Sequence, residues 1–454
     1  MKLIGFPLLV FLNLLIASAA AAATRPHYGG ILHVQMEGVV SSLDPVDSDQ
    51  RGMLVTGNVF GLMFDSLVRL NDGGEPQPAL ASSWQAEAGN QRWEFTLRPG
   101  IRFSDATPLT PEVVAASLRR ANPGWKVLPG ETTVVIQLDA ASPDLPSELA
   151  LARNSIARLD GAQAVGTGPF VVSQWDPGKK LVVTARDDYW DSRPFLDSIE
   201  IDMGKSFRDV NIAYDLGQTQ VIEIPAEQVQ HATQARQARE SEPVELVALL
   251  FAHDIQSPED AKQRQALALS IDRHLLNRVI LQGGGEPAGG LLPNWLTGYG
   301  FLFPAVANLT RAQQLRAEVP QTTLWNLGFD GSDPLMRVLA ERILLNASDA
   351  GLRLQLANQN TPDIRLIRIP LPSLNAHVAL SQIARDLGLP PPKFLDNSVD
   401  GLYHAESAIL HSERVIPLLH LRRAWAVSKS VSNWQDARDG AWRLPDVWLA
   451  SGKP

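Results

Sequence analysis

The chain has 454 residues, more than one hydrophobic core accommodates, so two or three domains are expected. Hydrophobic residues make up 45%, charged residues 20% and the net charge is −9, with no basic stretch interleaved with aromatics. This composition excludes nucleic acid and an anionic membrane as main partners. There is no cysteine, so stability rests on the core, without disulfides, and no thiol is present to carry a lipid.

Lys2 precedes an apolar run from Leu3 to Ile16, and "ASAAAAATRP" follows. This reads as a secretory signal peptide over residues 1–23, cleaved near Ala23. An uncleaved anchor over Leu3 to Ala23 is the competing reading, disfavoured by Asn13 and the alanine-rich end. "GGILHVQMEGVV" then reads as a strand ended by the loop "SSLDP", and residues 52–70 as a helix running into a strand.

In "WEFTLRPGIRF", Trp93, Phe95 and Leu97 alternate with polar residues, the period of a half-buried strand. Pro99-Gly100 suits a type II turn, and Ile101 and Phe103 resume the alternation, so a hairpin is expected. Thr110 is placed as a helix N-cap, with Pro111 in the first turn and Glu112 at the positive end of the dipole. Val114, Leu118 and Ala121 share a face, and Asn122-Pro123-Gly124 stops the helix.

Further on, 198–203, 208–217 and 220–225 read as strand, helix and strand, with Gly217 at the helix end. "TTLWNL", a helix over 334–350 entered through Ser332-Asp333 and ended by Gly351, and "LRLQL" repeat that logic. "DIRLIRIPLP" (363–372) is another strand, with Ser373 capping the next helix. Two βαβ regions about 140 residues apart imply two α/β lobes.

Signatures of chemistry are missing. There is no G-x-S-x-G, H-E-x-x-H or G-x-x-x-x-G-K-[ST], and "GGGEPAGG" (283–290) lacks the lysine of a phosphate cradle. His404 and His411 stand seven apart on a helical stretch, without the third ligand that a metal site needs. His253-Asp254 has the form of an oriented base, but no nucleophile stands beside it. Trp84, Trp93, Trp175, Trp190 and Trp448 are assigned to core packing, as the default for large aromatics.

"LASSWQAEAGNQRWEFTLRPGIRFSDATPLTPEVVAASLRR" resembles the signature region of extracellular solute-binding protein family 5. This family includes dipeptide-, oligopeptide- and nickel-binding receptors of ABC importers. "GTGPFVVSQWDPGKKLVVTARDDYWDSRPFLDSIEI" continues the likeness through Asp188, Tyr189 and Trp190, and "ALALSIDRHLLNRVILQGGGEPAGGLLP" adds a third landmark. The last third is thinner. The resemblance implies a two-lobed α/β periplasmic binding protein-like fold with a hinge and an extra subdomain in the first lobe. Lobe I would hold 24–45, 166–250 and 426–454, the extra subdomain 46–165, and lobe II 251–425.

The implied function is a periplasmic receptor that captures peptides or a related small solute between its lobes and delivers it to an ABC transporter permease. It would be a monomer, with no cofactor and no enzymatic activity. The alternatives are a receptor for a metal complex or haem-like cofactor, a member that has lost transport, and, last, an exported hydrolase.

Two departures from the family stand out. Asp105-Ala106 replaces Asp-Gly, so the turn is expected to avoid φ > 0. Arg365, Arg368 and Pro370 stand where relatives carry Gly-Trp and acidic residues; arginine suits carboxylates or phosphates better than an ammonium group. The expected ligand-binding residues are Ser41, Ser42, Phe251, His253, Arg368 and Pro370, chosen because "VVSSLDP" ends the first strand, "LLFAHD" is read as crossing between lobes and "RIPLP" faces back towards them.

Overall fold

A computed structural model describes residues 26–47, 54–160, 163–234, 238–300, 302–357 and 361–450, and the expected signal peptide lies outside them. The elements that shape the molecule begin with β1 (Ile31–Gln35), α1 (Leu54–Met63), β2 (Ala81–Ala86), β3 (Arg92–Leu97), α2 (Pro111–Ala121), β4 (Lys126–Pro129) and β5 (Thr133–Gln137). Next come β6 (Phe170–Asp176), β7 (Lys180–Ala185), β8 (Ser198–Asp202), α3 (Phe207–Asp215) and β9 (Val221–Ile224). The remainder are β10 (Ala238–Phe251), β11 (Gly285–Pro287), β12 (Leu324–Gly328), α4 (Pro334–Asp349), β13 (Arg353–Leu356), β14 (Ile364–Pro370), α5 (Ala376–Asp386), α6 (Val399–Leu410) and β15 (Val415–Val427).

Eleven of these strands form one sheet in the order β6-β7-β8-β1-β9-β15-β10-β14-β12-β13, with β11 paired to β15. The long strands β10 and β15 run antiparallel, and their ladder shifts register between Glu240 and Pro243 and again between Pro243 and Glu245. A proline cannot donate to a ladder, so Pro243 suits such a break. On one side of the break lies a core of Leu32, Val34, Ile199, Ile201, Val221 and Trp425. On the other side β10 buries both faces: Val247, Leu249 and Phe251 pack into one cluster, and Val244, Leu246, Ala248 and Leu250 into another. The period of two along the strand sorts them.

Strand direction sets where a cleft opens. β1, β8 and β9 run parallel to one another, and β9 is antiparallel to β15 and hence parallel to β10. Their C-terminal ends therefore point along β10 towards lobe II. β14 is antiparallel to β10 and parallel to β12, which is parallel to β13, so these ends point back. The two sets of strand ends face each other.

The four-stranded sheet β2-β3-β5-β4 with α2 forms a separate layer around Phe95, Phe103, Leu118 and Ile136. It is joined to lobe I through Asp65, whose carboxylate accepts from Thr167 Oγ1 at 2.9 Å, Tyr189 Oη at 3.0 Å and Trp190 Nε1 at 2.9 Å. Burial nonetheless pushes this carboxyl above its ordinary range, although the three donors oppose the shift. Gly166 and Gly168 flank Thr167 because a Cβ at either would run into the Met63 backbone at the end of α1. The sequence landmarks Gly-Thr-Gly and Tyr-Trp are thus two halves of one joint.

Several expectations change. The hairpin at 93–103 is absent: β3 has β2 on one edge and β5 on the other, and the buried Ile101 and Phe103 instead pair with Leu109 and Thr107 around an isolated bridge between Arg102 and Pro108. Ser373 accepts from the Asn375 N–H at 3.1 Å, and Asn375 is the cap of α5, accepting from Val378 N–H at 3.0 Å. In the βαβ unit over 198–224, β8 and β9 are not neighbours, because β1 lies between them. "LLFAHD" begins in the far half of β10, past the register break at Pro243, and runs beyond the end of the strand at Phe251.

Ala106 has φ +66°, so the turn uses the left-handed conformation that it was expected to avoid. Asp105 Oδ1 holds the turn by accepting from Thr107 N–H at 3.1 Å and Thr107 Oγ1 at 2.6 Å. A non-glycine residue costs roughly 1–2 kcal/mol in that region, part of which the greater chain entropy of glycine offsets. Ala106→Gly is expected to stabilise the protein by about 0.5–1 kcal/mol, read as a raised urea midpoint at unchanged slope.

Candidate functional site

Between the facing strand ends lies a cavity of about 1080 Å³. Its lobe I wall carries Glu37, Lys205, Glu223 and Glu227, and its lobe II wall Asp330, Asp333, Arg365, Arg368 and Pro370. Glu245, Arg423 and Trp425, from the two crossing strands, form the floor. Ligands of open α/β sheets commonly bind beyond the carboxyl ends of the strands, as here.

Each wall follows from local structure. β1 ends at Gln35, and the chain turns so that Glu37 Oε1 accepts from Phe207 N–H at 2.9 Å, at the N-terminus of α3. An anion is favoured there by the helix dipole. Gly38 N–H donates to Glu223 Oε2 at 3.3 Å. Burial pushes the Glu37 carboxyl up, and Glu223, Glu227 and Asp333 add to the shift against the Phe207 N–H. Glu227 is raised by burial first and by Asp333 next, with Arg368 pulling the other way.

Asp333 caps α4, its Oδ1 accepting from Leu335 N–H at 2.9 Å and Met336 N–H at 3.3 Å. Its other oxygen accepts from Arg368 Nη1 at 3.2 Å, while Arg368 Nε donates to Glu245 Oε2 at 2.6 Å. Arg368 thus ties the N-terminus of α4 to the crossing strand β10. Enclosure alone would lower the pKa of Arg368, but Glu245 and Asp333 hold it above the ordinary arginine value. Its side chain keeps 35% exposure, facing the cavity.

Of the residues expected to bind ligand, Arg368 and Pro370 line this cavity. Ser41 and Ser42 sit in the loop beyond β1 and are not among its lining residues; Ser42 Oγ accepts from Asp44 N–H at 3.2 Å. Phe251 is 2% exposed in the lobe II core, edge-on to Trp325 at 5.4 Å and beneath the Arg264 guanidinium at 4.2 Å. His253 is exposed at the same end of β10. Phe251 lies six residues beyond Glu245 along an extended strand, roughly 20 Å from the cavity floor. His404 on α6 and His411 at its C-terminal cap are exposed, and among the described residues no group of three His, Cys, Asp or Glu could hold a metal ion.

Sequence reasoning missed Glu37, Glu223, Glu227, Glu245, Asp333, Arg423 and Trp425. One signal was available for Glu37 and Glu227. Both follow within a few residues of the end of a parallel strand, where carboxylates are expected to face a cleft.

The fold and this cleft define a class: a two-lobed α/β periplasmic binding protein fold joined by two crossing strands. Residues 75–363 match the model of bacterial extracellular solute-binding proteins, family 5 Middle, and the chain belongs to that family. A match to protein YhjP of Bacillus subtilis (strain 168) is 33% identical over 187 residues, covering 38% of this chain and 32% of that one. The periplasmic murein peptide-binding protein MppA of Escherichia coli (strain K12) is 24% identical over 340 residues, covering 65% of this chain and 62% of that one. The chain therefore spans 32% and 62% of these two relatives' length. The crystal structure of a dipeptide binding protein from Pseudoalteromonas sp. SM9913 in complex with Met-Leu superposes with a TM-score of 0.78. That match has 17% identity and covers 92% of this chain and 100% of that one. No helix among the described residues is long and apolar enough to cross a membrane.

Arg368→Ala is expected to cost about 1–3 kcal/mol, because it leaves Glu245, 7% exposed, without its cation. Arg365→Ala, at an exposed position, is expected to stay within about 0.5 kcal/mol of the parent in urea unfolding. Glu227 has a raised pKa in the folded protein, so its ionisation opposes folding. Stability is then lost as pH rises from the ordinary value of 4.5 through the raised one. Glu227→Gln is expected to melt above the parent at pH 7.5 and level with it at pH 4.

Proposed function

We propose that this chain is the solute receptor of an ABC importer, exported to the periplasm, which captures peptides or a related small solute between its lobes and passes it to a membrane permease. The observation that carries this reading is the cavity itself: it is bounded by strand ends of both lobes and floored by the two strands that join them. A solute bound there touches both bodies at once, so occupancy favours the closed arrangement through contacts that the open one lacks. Desolvation between the lobes supplies affinity, and a few polar groups supply orientation.

The murein peptide-binding relative and the dipeptide complex favour peptides as the solute class. Charged walls of both signs suit the two termini of such a solute. Arg368 and Pro370 are the cleft residues that carry over from the sequence reading. We place the passage between lobes at the register break, near Pro243 on β10 and Leu421 to Arg423 on β15, which otherwise keeps the expected division of the chain.

A thermal-shift screen of the mature protein against short peptides, amino acids, sugars, haem and divalent metals tests the reading. A ligand at a hundred times its Kd adds about 2.7 kcal/mol of stability. A rise in Tm with di- or tripeptides is expected. A rise with haem or metals alone would replace the reading by that of a cofactor or metal-complex receptor.

A further inference from the structure

Three arginines that line the cavity stand in different circumstances. Arg368 is matched by Glu245 and Asp333. Its neighbour on the crossing strand, Arg422, is also held, by Glu286 at 2.8 Å and the Ser241 carbonyl at 3.3 Å. Arg423 has neither arrangement. It is 7% exposed, its backbone N–H donates to Ser241 Oγ at 3.0 Å, and its stem packs so closely that a Cβ on Gly440 would meet Cδ at 3.3 Å. The guanidinium lies over the Trp425 ring at 5.6 Å and donates no hydrogen bond among the described residues.

A guanidinium attracted to the face of an indole uses none of its N–H groups as hydrogen-bond donors in that contact. The Arg423 side-chain N–H groups have no protein acceptor among the described residues, but they are not sealed off: the residue lines the cavity, where an incoming group can accept from them. The charged groups near this side chain are Glu245 on β10, Glu223 on β9, Arg368 on β14 and Asp439 in the C-terminal segment. None of these carboxylates is within hydrogen-bonding reach of Arg423, and Arg368 is repulsive. The chemistry that fits the gap is a planar anion with two oxygens, which accepts from the fork of a guanidinium in parallel.

We propose that Arg423 is a specificity-determining residue of the cleft, taking a carboxylate of the solute at the hinge floor. The solute's cationic or donor groups then face Glu37, Glu223 and Glu227 across the cavity. This rests on the receptor reading and moves the anion-binding role from Arg368, whose charge is already matched, to Arg423. Because Arg423 stands on β15 at the register break, an anion held there contacts the strand about which the lobes close.

The test uses the full mature chain with matched pairs of amino acids, di- and tripeptides, each as the free acid and as the C-terminal amide. Affinities come from calorimetry on wild type, Arg423→Met and Arg423→Lys. The expected result is a preference of roughly 10- to 100-fold for free acids in wild type, lost in Arg423→Met and partly restored in Arg423→Lys. Without ligand, Arg423→Met is expected to melt close to the wild-type Tm, because it removes no side-chain hydrogen bond or ion pair within the protein. An unchanged acid-to-amide ratio in Arg423→Met overturns the proposal and leaves the receptor reading standing. A drop of several degrees in Tm for both variants without ligand also overturns it, by making Arg423 a structural brace. Failure of every pair to bind folded wild type rejects both readings for this solute class.

Discussion

The antiparallel pairing of β10 with β15 is the constraint on which the rest depends. These two strands carry one sheet through both lobes, and the ladder between them is interrupted around Pro243. Continuity of the sheet fixes strand directions on each side of the break, and those directions turn the carboxyl ends of β1, β8 and β9 towards those of β12, β13 and β14. The cleft is a consequence of this arithmetic of direction. Its floor is made of the side chains that β10 and β15 project at the break, Glu245, Arg423 and Trp425.

Both walls of the cleft carry charges of both signs. Lobe I contributes carboxylates because β1 and β9 end beside a helix N-terminus and a tight turn, where Glu37 and Glu227 face inward. Lobe II contributes Arg368, which the cap of α4 and the crossing strand hold in place. Groups positioned beforehand bind more tightly, since ordering long side chains at the moment of binding lowers affinity. Arg368 shows how a residue can line a cleft and still serve mainly to position others.

The extra layer answers a different need. Asp65 binds Thr167, Tyr189 and Trp190 in one buried node, and two glycines let the chain approach Met63 closely enough to form it. Buried carboxylates are costly unless hydrogen-bonded, and three donors converge here. These landmark residues support the scaffold and lie away from the cleft.

Much of the local architecture was legible in the sequence because it is written at short range. The alternation of β3, the proline-led start of α2, the apolar spacing of α4 and the glycines at 217 and 351 are set by neighbours a few residues apart. The family landmarks carried the fold class and the two lobes. Pairing was not legible in the same way. Ile101 and Phe103 keep a strand's alternation, yet both edges of β3 were claimed by β2 and β5 from elsewhere in the chain. Ala106 takes the glycine conformation because Asp105 holds the turn with its own side chain.

The cleft shows the same division. Arg368 and Pro370 could be named from the strand that carries them, whereas Phe251 fell in the core through its parity with Val247 and Leu249 on β10. By itself the sequence determined the α/β class, its periodic elements and the family. Only the tertiary structure decided which residues meet across the cleft, which arginine is already matched and which is not. Those facts depend on contacts such as Arg368 with Glu245, 123 residues away, and no local pattern records a partner at that distance.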